Sequence, residues 1–181
     1  MEKVTERLLR AAAVLEGAGV PYAVAGGNAV ALWVSRVDEA AVRNTRGVDV
    51  LIRRCDFDAA KRAMEAAGFV HRRVKSVDAF LDGPGAKVRD AVHVVFANEV
   101  VREGEALPNP DVTESEATDA FRVLSLPALV RVKLTAFRLK DRVHLLDLIE
   151  LGLVGPDDAE GLPPVHAERL RELLDDPDGR G

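Results

Sequence analysis

Thiols are nearly absent from this chain. A single cysteine, Cys55, excludes an internal disulfide and a cysteine-rich zinc site. Long apolar runs are missing as well: none approaches the ~20 residues that span a bilayer. The opening MEKVTERLLR is charged and unlike a signal sequence. There are no internal repeats, no low-complexity tract and no linker-like stretch. These absences leave a globular chain with no membrane partner, expected to be cytoplasmic. At 181 residues, 48% hydrophobic and 30% charged, it is long enough to bury a core.

The net charge of −5 argues against wholesale coating of nucleic acid, but its distribution is uneven. Residues 36–75 hold ten Lys/Arg against six Asp/Glu, and residues 131–142 hold five against one. Residues 99–119 hold one against seven, and 157–178 two against eight. If the two basic segments converge on one cleft, they form a funnel for a phosphate-bearing ligand and leave the acidic segments outside it.

Apolar spacing predicts a helix over 3–17, stopped by Gly17 and Gly19, and a short strand over 20–25. An apolar helix follows over 28–34, with Trp33 read as core, then a charged loop over 36–46. A buried strand over 48–52 precedes a helix over 56–67 that is closed by Gly68. Strands are expected over 69–74 and 77–81, and the DGPG turn at 82–85 leads into a longer strand over 88–96. Residues 98–119 read as an acidic loop or flap, and 121–124 as an edge strand. Pro127 opens a helix that bends near Lys140 and stops at Gly152, and a last short helix covers 166–174. The order implies an α+β fold: a short mixed β-sheet with helices on one face, a core over 1–125 and a helical C-terminal extension over 126–181 packed on it as one compact unit.

The most informative stretch runs from Ala25 to Ile52. A strand ends in a glycine pair, Gly26-Gly27, that opens a helix, and after a polar loop a second strand carries one acid, Asp49. Paired glycines let backbone N–H groups approach a ligand, and the helix start favours an anion. An acid on the neighbouring strand could hold a divalent metal against that anion's oxygens. This is the outline of a nucleotide site, incomplete because the place for a second carboxylate is Gly47.

The order of motifs resembles the nucleotidyltransferase superfamily that includes DNA polymerase beta, in particular the small bacterial minimal nucleotidyltransferases and the AbiE-type nucleotidyltransferase toxins. Ala25-Gly26-Gly27-Asn28 matches that family's Gly-Gly or Gly-Ser helix opening. Arg43-Asn44-Thr45-Arg46-Gly47-Val48-Asp49 matches its Arg-x-Thr/Ser-x-Asp-hydrophobic-Asp strand except at the first acid. The resemblance covers about residues 20–150. It implies the nucleotidyltransferase fold and metal-dependent transfer of a nucleotide from a nucleoside triphosphate to an RNA, protein or small-molecule acceptor. It further implies that Asp49 holds Mg2+ or Mn2+, that Gly26, Gly27 and Asn28 cradle the triphosphate, and that Lys133 with Arg43 or Arg46, beside Thr45, neutralises developing charge.

Three carboxylates serve the metals in that family, and here only Asp49 can be placed. On the 88–96 strand the alternation leaves His93 in the third acid's place, and imidazole is a poor magnesium ligand. The alternative is therefore a catalytically degenerate fold that binds a nucleotide, RNA or a protein partner. Gly47→Asp is expected to discriminate the two. Several residues keep a second reading. Asp49 could pair with an arginine, His93 could be a satisfied sheet histidine, and the glycine pair could merely permit a tight turn. Lys133 could point at phosphates or snorkel along its helix. Lys140-Asp141-Arg142 with His144 and Asp147 resembles the family's Arg-Asp segment or forms helical salt bridges. His71 and His166 read as surface residues.

Overall fold

The computed structural model describes residues 2–178. Along the chain run α1 (Glu2–Gly17), β1 (Tyr22–Ala25), α2 (Gly26–Ser35), β2 (Val48–Ile52), α3 (Phe57–Ala66), β3 (Val70–Val74), β4 (Val77–Leu81) and β5 (Val92–Phe96). There follow β6 (Ser115–Ala117), β7 (Arg122–Leu124), α4 (Leu126–Ala136), α5 (Leu139–Glu150) and α6 (Pro164–Asp175). The strands form one mixed sheet in the order β3-β4-β5-β2-β1-β7-β6, with β2/β5 and β1/β7 parallel and the other neighbours antiparallel. The α+β architecture read from the sequence is the one observed.

Strand alternation sorts the core into two. Tyr22, Val24, Val48, Val50, Ile52, Val92 and Val94 face Leu8, Ala11 and Leu15 of α1 and Ala60 and Met64 of α3. Ala23, Ala25, Leu51 and Val123 face Ala29, Val30 and Val34 of α2 together with Leu129, Leu134, Leu145, Leu148 and Leu170 of the later helices. Helices thus cover both faces of the sheet, not one. Burying both faces explains why β2 and β5 carry apolar residues at nearly every position. Trp33 joins the second core and donates Nε1 to the Leu124 carbonyl at 3.1 Å, tying α2 to β7.

Four local expectations are corrected. The 88–96 strand is divided: Val88–Asp90 forms a 3-10 turn and β5 begins at Val92. The turn forms because the Val88 carbonyl accepts both Ala91 N–H and His93 Nε2. The acidic 98–119 segment contributes β6, too short and polar to show a period, paired with β7 through Ser115↔Leu124 and Ala117↔Arg122. The helix after Pro127 breaks at Phe137, in the left-handed region at φ 43°, rather than bending near Lys140. The break is set by Asp141, whose Oδ2 accepts the Arg138 N–H at 3.2 Å and restarts the chain as α5. Neither His71 nor His166 is a surface residue. His71 Nε2 lies 2.8 Å from Asp78 Oδ1. His166 is wholly buried, its Nε2 3.0 Å from Thr135 Oγ1, because α6 packs that side chain against α4.

Candidate functional site

The β1/β2 register sets Asp49 opposite Ala25, the residue before α2, and the β2/β5 register sets His93 beside Asp49. Directly opposed strand residues share a face, so helix start, carboxylate and imidazole meet on one face of the central strands, where β1 ends. No side chain caps α2 at Ala25, which leaves its first N–H groups uncapped.

Three glycines make this convergence possible, each by giving its side-chain volume to a neighbour. A Cβ on Gly26, whose φ is +61°, would fall 1.9 Å from Asp49 Oδ2. One on Gly27 would fall 2.6 Å from Thr45 Cγ2, and one on Gly47 would fall 2.8 Å from His93 Cε1 and 3.0 Å from its Nδ1. The sequence reading took the first two as a ligand cradle or a tight turn. In the structure they admit Asp49 and Thr45. The imidazole of His93 fills the volume that a carboxylate at position 47 would enter.

His93 is held on both sides by acceptors: Nε2 donates to the Val88 carbonyl at 2.8 Å, and Nδ1 lies 3.6 Å from Asp49 Oδ1. The Asp49 carboxylate raises the imidazole pKa against the opposing pull of burial, and Val88 adds to the rise. Burial pushes the Asp49 carboxyl up. The neighbouring imidazole of His93, with the charges of Lys140 and Lys133, outweighs it and holds the carboxyl below its usual range. About a third of the Asp49 side chain remains exposed, at 34%.

Lys133 is 3% exposed and neither snorkels nor reaches solvent. Its Nζ donates to Asp141 Oδ1 at 3.0 Å, and the same carboxylate accepts from Arg138 Nε at 2.7 Å. Burial pulls the Lys133 pKa down, and Asp141 and Asp49 oppose the pull. His144 stands over the α2 start, its Cε1 3.7 Å from the Cβ position of Gly27. Burial, then the charge of Lys133, pushes His144 down to about 4, and its Nδ1 has no hydrogen-bond partner. Exposed Lys140 completes the group, its charge felt by Asp49, His93, Lys133 and His144.

The remaining sequence candidates have structural partners. Asn28 Nδ2 donates to the Gly47 carbonyl at 2.8 Å, and Thr45 Oγ1 lies 3.2 Å from the same oxygen. Together they pin the loop that leads into β2. Arg43 pairs with Asp147 through two bonds of 2.6 and 2.9 Å. Arg46 is exposed, and its carbonyl accepts from Arg7 Nη1 at 3.4 Å. The anion funnel is correspondingly narrower than its charge count. The acidic 99–119 segment does not stand outside it but neutralises its arginines: Arg36–Glu116, Arg53–Asp111, Arg54–Glu99 and Arg131–Glu114 are ion pairs.

A magnesium or manganese site does not fit this donor set. Asp49 is the one carboxylate at the row, and an imidazole occupies the space beside Gly47. The nearby acids Asp141 and Asp147 are engaged by Lys133, Arg138 and Arg43. Among the described residues, no group of three or more His, Cys, Asp or Glu side chains could hold a metal ion.

No family model matches the chain, and no curated protein matches it. Solved structures do. An antigenic nucleotidyltransferase-like protein from Paracoccidioides brasiliensis superposes with a TM-score of 0.66 at 18% identity, over 98% of this chain and 90% of that one. JHP933 from Helicobacter pylori superposes at 0.55 with 15% identity, over 98% of this chain and 74% of that one. This chain has the nucleotidyltransferase fold. At such identities the likeness speaks for the fold alone, and site chemistry has to be argued from the residues. Among the described residues no helix is long and apolar enough to cross a membrane.

The sequence reading found Asp49, His93, Lys133 and the glycines. It left Lys140 and His144 between the family's Arg-Asp segment and a set of helical salt bridges. The signal it had was their place in the 131–142 basic segment and just beyond it, but their aim depends on the break at Phe137.

Proposed function

We propose that the protein binds the phosphates of a nucleoside triphosphate at the start of α2, beside the Asp49–His93 row, as a nucleotidyltransferase-fold protein impaired for transfer. The observation that carries this reading is the exposed Lys140, one turn before His144 on the face of α5 that meets the uncapped α2 start. Helix N–H groups and ammonium charges suit a polyanion. The impairment follows from Gly47 and His93. In this fold two carboxylates two apart on β2 would share the chemistry, and one of them is missing here.

The test is calorimetric titration with each of the four ribonucleoside triphosphates at several salt concentrations. Binding should weaken steeply as salt rises, because phosphate contacts exchange with counterions. Lys140→Ala should weaken it further. Salt-independent binding, or none at all, would contradict the reading.

Nucleotidyl transfer to an RNA, protein or small-molecule acceptor is a second reading. It is favoured by Asp49, which stays ionised beneath the α2 start and within reach of the Lys133 charge. Incubation with labelled triphosphates, magnesium or manganese, and each acceptor class tests it. Sustained turnover by the unmodified chain would replace the first reading's impairment with activity.

A further inference from the structure

We propose that this site takes nucleotide phosphates without a divalent metal, with the chain's own Lys140 supplying positive charge that magnesium would otherwise bring. The inference rests on the nucleotide-binding reading above and concerns the form in which the ligand enters.

Three observations carry it. Steric exclusion comes first. The face of β2 that carries Asp49 has no room beside Gly47, because His93 Cε1 stands 2.8 Å from the missing Cβ. The ring is fixed there by its 2.8 Å bond to the Val88 carbonyl and by the strand register that pairs His93 with Asp49. A divalent ion shared across positions 47 and 49 would contend with that ring.

The second observation is that no nearby acid is free to replace the lost ligand. Asp141, 1% exposed, accepts from Lys133 and Arg138, and Asp147 holds Arg43 through two bonds. Recruiting Asp141 to a metal would strand the buried Lys133, which is costly. Asp49 is thus the one protein carboxylate left to a metal at this row, and the position from which a second would reach it is filled by the His93 ring.

The third is the placement of cations. Exposed Lys140 lies one turn before His144 on α5, and His144 Cε1 is 3.7 Å from the Cβ position of Gly27, so Lys140 shares the helix face that meets the α2 start. Ammonium groups bind phosphate as point charges. A magnesium ion already on the phosphates would neutralise the charge that Lys140 recognises, so metal should compete with the protein instead of assisting it.

The experiment is calorimetric titration of the full chain with ATP, once in EDTA and once in excess magnesium, with manganese alone as a third titrant. Affinity in EDTA should equal or exceed that in magnesium, and manganese alone should show no saturable site. Lys140→Ala should weaken binding in EDTA by about three- to tenfold, the loss of one charge-assisted contact. Binding that requires the metal, or strengthens with it more than roughly tenfold, overturns the inference and leaves nucleotide binding intact. A Lys140→Ala protein that binds as well as the parent in EDTA overturns the assignment of charge to Lys140. An absence of binding in both conditions overturns the parent reading together with this one.

Discussion

The imidazole of His93 stands where a side chain at Gly47 would have to begin, 2.8 Å from the Cβ position to Cε1 and 3.0 Å to Nδ1. Loss of the first acid and presence of the histidine are therefore a single packing arrangement. Restoring one half of it cannot restore the site.

Gly47→Asp alone is expected to destabilise the protein, since the new Cβ must displace the ring and break its bond to Val88. Overpacking of this kind costs about 1–3 kcal/mol. The same substitution in a His93→Ala background should cost much less, because the colliding ring is gone. Urea denaturation of the four proteins in this cycle measures the coupling. Equal costs in both backgrounds would show that the ring yields freely.

Gly26→Ala is expected to cost more than Gly19→Ala. Both residues have positive φ, +61° and +68°, so the backbone strain of about 1 kcal/mol is shared. Only Gly26 faces a neighbour: its Cβ would fall 1.9 Å from Asp49 Oδ2, whereas nothing lies within 4 Å of that of Gly19. The difference between the two melting curves isolates the contact with Asp49. Nucleotide affinity should fall in the Gly26 variant alone.

These two positions also mark what was legible in the sequence. Gly26-Gly27 and Asp49 belong to short, local patterns, a helix opening and a strand, and both the fold class and the row they build follow from period and turn residues. The gap at Gly47 was equally visible. What filled it was not, because the contact between residues 47 and 93 depends on the parallel pairing of β2 with β5. Nor could the sequence show that Arg36 meets Glu116 or that Arg53 meets Asp111. A count of charges within a segment carries no information about partners so far along the chain. The break at Phe137, which aims Lys140 and His144, turns on one carboxylate capping the next helix.

Within the Lys133–Asp141–Arg138 cluster the two ends should respond unequally. Asp141→Ala strands a lysine that is 3% exposed, frees Arg138 and removes the α5 cap. Breaking a buried pair from one side costs about 3–5 kcal/mol. Lys133→Met leaves Asp141 with Arg138 and fills the volume with apolar atoms, so it should cost distinctly less. Equilibrium unfolding of both variants checks the order, and an inverted order would show that Arg138 does not hold the carboxylate.

Acid stability should carry the mark of His144. Burial and the Lys133 charge push its pKa in the folded protein down to about 4, below the usual value of about 6.5 in an unfolded chain. Between those values the unfolded state binds more protons than the folded state, so stability rises with pH across the window. The contribution is fully present above about pH 6.5 and is lost as pH falls towards about 4, a loss of about 2–3 kcal/mol. His144→Leu removes the titrating group and the unpartnered Nδ1, so the slope of unfolding free energy against pH should flatten across that window. Chemical denaturation of parent and variant at intervals from pH 4 to pH 7 would show it. The signal is the difference between the two proteins, since other groups titrate in both. Parallel curves would mean that the ring is hydrated in the folded state and that the cleft admits water above the α2 start.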